Sequence, residues 1–141
     1  MPVTQSEVTT LESEDSHVSA DGCIRVRIGP TDLSYMGSIA SGAKVMSIFA
    51  DVETEIALRV FGNEGLCAGY ESVEFLCPIR SGDFLEGVGR VIHVGRTSRK
   101  VELTLYRRIT LTPEGRADLA DPTTVVATAR ATIVSADRLA R

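Results

Sequence analysis

Residues 39–60 are apolar around most of a helical circumference, while the rest of the ordered-looking chain alternates. Val45, Phe49, Val52, Ile56 and Val60 recur at steps of three and four, and Ala43, Met46, Ile48, Ala50 and Ala57 widen the apolar surface. Some twenty residues of this kind form a helix about 30 Å long, the width of a small domain. Such a helix must be enclosed by other elements, not laid on top of them. Ser38 or Ser41 can cap its start, and Gly62-Asn63-Glu64-Gly65 stops it. One narrow polar stripe remains: Lys44, Ser47, Asp51 and Glu55. Glu53 lies off that stripe and reads as surface.

What could enclose the helix is a sheet. Residues 23–28 alternate Ile24, Val26 and Ile28 with Cys23, Arg25 and Arg27, the period of a half-buried strand, and Gly29-Pro30 ends it. After the helix come strands over 70–79 (Val73, Phe75 and Cys77 alternating with Ser72 and Glu74, Pro78 closing), 83–94, 99–111 and 123–135. Gly87 and Gly89 suit a strand bent around an object, and Ala127, Ala129 and Ala131 suit a close approach of sheet to helix. The connections at 80–83 and 95–98 are too short for parallel crossovers. The pattern predicts an α+β fold, one curved antiparallel sheet wrapped around one long helix.

The chain of 141 residues allows one domain, with 43% apolar and 24% charged residues to build its core and surface. Residues 1–22 hold five acids (Glu7, Glu12, Glu14, Asp15, Asp21) and no Lys or Arg, which reads as a solvated acidic arm ahead of a single domain over 23–141. A net charge of −4, no Trp and 5% aromatics argue against nucleic acid as a partner. No apolar run approaches the ~20 residues of a membrane helix, so no membrane contact is expected. The arm lacks the basic start and apolar centre of a secretory signal, and Cys23, Cys67 and Cys77 are odd in number without CxxC spacing. Reduced thiols in a cytoplasm are the expectation. With only His17 and His93, neither a metal site nor a His-based triad is supported.

Three clusters carry chemistry-bearing residues. In the loop Asp32-Leu33-Ser34-Tyr35-Met36-Gly37, the chain approaches a helix N-terminus, whose N–H groups can polarise a carbonyl, with Tyr35 to orient it. An ordinary capping loop with a packed tyrosine reads the same way. Asp51 and Glu55, one turn apart on a helix meant for burial, suit acid–base work near neutral pH, or else a solvated seam. The turn Gly95-Arg96-Thr97-Ser98-Arg99-Lys100 combines three cations with two hydroxyls and can grip phosphates, or be a plain solvated turn. It lacks the glycine spacing of a P-loop.

The first run continues Ser38-Ile39-Ala40-Ser41-Gly42-Ala43-Lys44, then Phe49-Ala50-Asp51-Val52-Glu53-Thr54-Glu55. With Val73-Glu74-Phe75, Ser81-Gly82-Asp83 and the 94–100 turn, it resembles the hotdog-fold β-aminoacyl-CoA ammonia-lyases, across about residues 24–110. The Gly-Asp and Gly-x-Thr-Ser pieces are shared with hotdog acyl-CoA thioesterases; the Asp-x-x-Tyr-x-Gly loop with Asp-Val-x-Thr-Glu is narrower. The chain departs from the family pattern at Ser34 (His), Ser38 (Asn) and Arg96 (Asn). The resemblance implies a hotdog fold, a homodimer or larger assembly with sites at the interface, and coenzyme A as part of the substrate with no tightly bound cofactor. It implies that the helix start, with Tyr35, Ser34, Gly37, Ser38 and Gly42, meets the thioester, and that residues 95–100 meet coenzyme A phosphates. Elimination or addition of ammonia at a β carbon needs a carbonyl donor and a carboxylate, which Tyr35, Asp51 and Glu55 are expected to provide as one constellation. Glu55 is the expected base, being flanked by Val52 and Ile56 and reaching back along the helix, with Asp51 setting its charge or binding the amine and Asp32 the reserve. A thioesterase is the alternative, and a non-catalytic acyl-CoA or acyl-carrier binding protein a distant third.

Overall fold

The computed structural model describes residues 20–36, 38–118 and 123–140. Strand β1 (Gly22–Arg27) leads to a short hairpin of β2 (Leu33–Ser34) and β3 (Ile39–Ala40), then to helix α1 (Gly42–Phe61). β4 (Leu66–Phe75), β5 (Phe84–Val94), β6 (Ser98–Leu111), β7 (Ala117–Asp118) and β8 (Thr124–Val134) follow. The main sheet runs β1-β5-β6-β8-β4 with antiparallel neighbours throughout, and β7 pairs with β6. This is the expected α+β arrangement, one antiparallel sheet against one long helix. Among the described residues no helix is long and apolar enough to cross a membrane.

The helix starts at Gly42, three residues after the expected Ile39. Ser41 is its cap, with extended backbone and a side chain that accepts the Lys44 N–H at 3.4 Å. Ser38 is not the cap, because Ile39 and Ala40 are drawn into β3. Gly62 closes the helix in the left-handed conformation (φ 75°), its N–H bonded to Leu58 O at 3.1 Å.

The core forms where α1 meets the inner face of the sheet. Phe49, Val52 and Ile56 are fully buried against Leu103, Leu105, Ala127 and Ala131. Full burial of such side chains contributes about 1.5–3 kcal/mol each. A Cβ on Gly89 would lie 2.7 Å from Ile56 Cδ1 and 2.8 Å from Val52 Cγ1. Glycine stands there because the helix lies directly on β5. The enclosure is one-sided, a correction to the all-round burial expected for the helix: Leu58 and Val60 remain 49% and 38% exposed. One sheet can cover only one face of a helix, so the remaining apolar surface stays open in a single chain.

β4 begins at Leu66, before the expected Tyr70, and ends at Phe75. Its pairing with β8 shifts twice, between Cys67 and Gly69 and between Tyr70 and Ser72. Each shift inserts a residue and breaks the period of two. Cys67, Tyr70 and Val73 therefore stand opposite Ile133, Ala131 and Ala129, all on the helix side. Beyond β4, the Leu76 and Cys77 N–H groups both donate to Val126 O, so Cys77 lies outside the strand. At the other end, Gly22 pairs with Gly89, and the Asp21 carboxylate accepts the Val91 N–H at 2.7 Å. Order thus includes the last residues of the expected 1–22 arm; its positions 1–19 lie outside the described residues.

Candidate active site

Where the β2–β3 hairpin meets the start of α1, a cleft of about 310 Å³ opens, walled by Tyr35, Ala40, Gly42, Phe75, Cys77 and Ile79 among others. Asp32 braces this region. Its carboxylate accepts the Gly29 N–H at 2.8 Å and pairs with Lys44 Nζ at 3.1 Å, which joins the loop to the first helical turn. The Gly29 amide, and then Lys44, hold the Asp32 carboxyl below the usual carboxylate range. Tyr35 and Met36 both adopt left-handed backbone (φ 49° and 67°), a strain of order 1–3 kcal/mol per residue. The side chains of both are exposed, as are Ser34 and Ser38, whose backbones are joined by the Ser38 N–H to Ser34 O bond. Gly37 lies outside the described residues.

Gly42 is the closest approach between helix start and cleft wall. A Cβ there would sit 3.0 Å from the Phe75 ring, so glycine lets that ring lie across the helix end. Ser41 satisfies the Lys44 N–H, while the amides of Gly42 and Ala43 precede any acceptor within the helix. An apolar acyl group in this cleft would have its carbonyl beside free N–H groups and the positive end of a helix dipole.

The carboxylate stripe lies elsewhere. Glu55 is thirteen residues along α1 from Gly42, about 20 Å by helical rise. Within one chain the structure does not join Asp51 and Glu55 to Tyr35 in the single constellation expected. Asp51 is exposed. Glu55 accepts the Cys23 N–H at 2.5 Å and pairs with Arg59 at 3.4 Å, beside a hollow of about 460 Å³ shared with Asp21 and Gly22. Glu53, expected at the surface, is 3% exposed. Its Oε2 accepts the Tyr70 hydroxyl at 2.6 Å. Burial, and then the Glu53 carboxylate, hold the Tyr70 phenol well above its usual range and push the neighbouring Cys67 thiol up to about 11. Stripe counting missed Glu53 because the bulges of β4 bring Tyr70 to the helix side, where unbroken alternation from Val73 would have placed Glu71.

The 95–100 turn is only partly free for a ligand. Arg99 donates to Gly95 O and Ser98 O at 3.0 and 2.8 Å and lies 5.1 Å over the Phe61 ring. Lys100 is paired with Glu71. A Cβ on Gly95 would meet only the Ser98 hydroxyl closely, a group that can rotate away, so the turn does not depend on glycine. Arg96 is exposed and borders a hollow of about 310 Å³ with Thr97, Ser98, Asp137 and Arg138. Arg138, past the end of β8, thus borders the same hollow as Arg96.

A family model described as the thioesterase superfamily matches residues 37–113, more than half of the chain. The chain belongs to the thioesterase superfamily. Within that superfamily it is 37% identical over 78 residues to a 3-aminobutyryl-CoA ammonia lyase of Acetoanaerobium sticklandii, covering 55% of this chain and 62% of that one, so less than two thirds of the relative is spanned. Its fold superimposes on the β-alanyl-CoA:ammonia lyase from Clostridium propionicum with a TM-score of 0.77 and 26% identity, over 82% of this chain and 85% of that one. A hexameric hotdog fold thioesterase of Campylobacter jejuni matches with a TM-score of 0.70 at 20% identity, over 82% of this chain and 81% of that one. The sheet and helix described above are a hotdog fold, as the residue resemblance implied.

Proposed function

We propose that the protein eliminates or adds ammonia, or an amine, at the β carbon of a short acyl-CoA thioester, in an assembly of two or more copies. The observation that carries this reading is the apolar cleft closed by the N-terminus of α1, between Tyr35, Gly42 and Phe75. A thioester acidifies the proton on its α carbon, and the enolate oxygen formed on its removal needs a preorganised donor. The Gly42 and Ala43 amides, with the Tyr35 hydroxyl at the rim, meet that need. The abstracted proton resides on a carboxylate, the C–N bond breaks with its electron pair to nitrogen, and the departing ammonia takes the proton. Of the two carboxylates on the stripe, Asp51 is exposed, whereas both oxygens of Glu55 are engaged. We therefore place Asp51 ahead of Glu55 as the base. Arg96 and Arg138 are the cations offered to coenzyme A phosphates.

An assembly supplies what one chain separates. β4 is an end strand of the main sheet, and Tyr35, Met36, Phe75 and Leu76 form an exposed apolar border beside it. Antiparallel pairing of two β4 edges sets the Phe75 end of one copy against the Leu66 end of the other. The helix carboxylates of one copy then approach the cleft of its partner. The three free cysteines fit a cytoplasmic enzyme.

The test is deuterium exchange at the α carbon of 3-aminobutyryl-CoA in heavy water. Wild-type protein is expected to exchange without releasing thiol. Asp51→Asn is expected to slow exchange by about 10²–10⁴-fold. Loss in Glu55→Gln with Asp51→Asn unaffected would reverse the assignment, and thiol release without exchange would replace the lyase with a thioesterase.

A further inference from the structure

The cleft at the start of α1 is larger than a four-carbon acyl group needs, and among the described residues no charged side chain lines it. Its wall grades from open to closed. Tyr35, Phe75 and Leu76 at the mouth are exposed, whereas Val45, Ile79 and Val126 are each 3% exposed or less. The space therefore runs inward from the rim to a floor of three branched apolar side chains. A water molecule takes about 30 Å³ of liquid and a methylene is of similar size, so a four-carbon acyl unit with its oxygen occupies roughly 150 Å³. That is about half of the 310 Å³ present. The amides of the coenzyme arm are poorly suited to the remainder. Among the lining side chains only the Tyr35 hydroxyl, at the mouth, is a strong hydrogen-bonding group, and an amide left unmatched against an apolar wall is costly. A β-ammonium group stays at the mouth for the same reason.

We propose that the floor of this cleft selects acyl groups of six to eight carbons, with Val45, Ile79 and Val126 receiving the alkyl group beyond the β carbon. The inference rests on the lyase reading for its reaction and deepens it at the acyl chain: four-carbon thioesters react, and longer unbranched ones are preferred. An eight-carbon acyl unit comes to about 270 Å³ and fits, while a ten-carbon unit, at about 330 Å³, exceeds the space. Each methylene moved from water onto such a floor strengthens binding about fourfold. Cys77, half-buried, stands between mouth and floor, so a bulkier side chain there shortens the cleft.

Two measurements on the full chain in its native assembly test this. S-alkyl thioethers of coenzyme A with four, six, eight and ten carbons, which neither hydrolyse nor eliminate, are titrated by calorimetry. The trans-2-enoyl-CoAs of the same lengths are assayed with ammonium, following enoyl absorbance and free thiol together. Kd is expected to fall about fourfold per methylene up to eight carbons and no further at ten, with kcat/KM for ammonia addition in the same order. In Cys77→Phe the advantage of the eight-carbon over the four-carbon thioether is expected to drop from about 10²-fold to less than tenfold. If Cys77→Phe does not fold, Val126→Ala, which deepens the floor, is expected to move the break from eight carbons to ten. A Kd independent of chain length, one that keeps falling through ten carbons in the wild type, or an advantage that Cys77→Phe leaves intact would overturn the proposal. Ammonia addition fastest with crotonyl-CoA would overturn it and leave the lyase reading in place. Thiol release instead of amine addition, in the same order of chain length, would uphold the selectivity of the cleft and remove the lyase reading.

Discussion

Glu86 is buried with a side chain only 1% exposed, yet it is charged because Arg25 Nε lies 2.7 Å away and Arg108 pairs with its other oxygen. Burial alone would raise its pKa; the two guanidiniums outweigh that and hold it below the usual carboxylate range. A depressed folded-state pKa stabilises the fold above the ordinary carboxylate pKa, and the benefit disappears as pH falls through the folded value. Since Arg25 is 68% exposed and Arg108 29% exposed, Glu86→Gln is expected to cost about 1–2 kcal/mol at pH 7. In urea unfolding, the gap to wild type should shrink below about pH 4; a gap of the same size at pH 3 would contradict this origin. The 95–100 turn separates by the same logic. Arg96→Ala should raise the KM for the CoA thioester several-fold with kcat little changed. Arg99→Ala should instead lower the melting temperature, because Arg99 ties the turn together and covers Phe61. The sequence shows three cations in this turn, but which are engaged depends on Phe61 and Glu71, which only the fold brings near.

At the scale of elements, Gly89 is the most sensitive point of the helix–sheet contact. Gly89→Ala is expected to destabilise by about 1–3 kcal/mol in chemical denaturation, since its Cβ would press on Val52 and Ile56. A neutral result would mean that the helix rides higher on β5 than described. Gly87 and Gly89 were legible as an adaptation to an enclosed object, and a Cβ at either would press on Val52 of the helix. Long elements with an unbroken period, α1, β5, β6 and β8, were readable within a few residues of their ends. β2, β3 and β7 were not, since two residues display no period. The start of β4 was hidden by its bulges, and with it the pairing of Tyr70 with Glu53. The candidate residues around Tyr35 were found from the helix-start pattern, whereas the separation of the stripe from that loop follows from helix length and the anchoring of Glu55 to β1.

On the scale of the whole molecule, one chain leaves an end strand, the outer apolar residues Leu58 and Val60, and the rim of Tyr35, Met36, Phe75 and Leu76 exposed together. Sedimentation at low micromolar concentration is therefore expected to show a dimer or larger, and a stable, active monomer would contradict the shared site. Whether this hotdog fold moves ammonia at a β carbon is decided with crotonyl-CoA and ammonium. Enoyl absorbance and free thiol are followed in the same cuvette. Loss of enoyl absorbance without thiol release is the predicted result; thiol release in step with substrate loss, or no change in either, would contradict it.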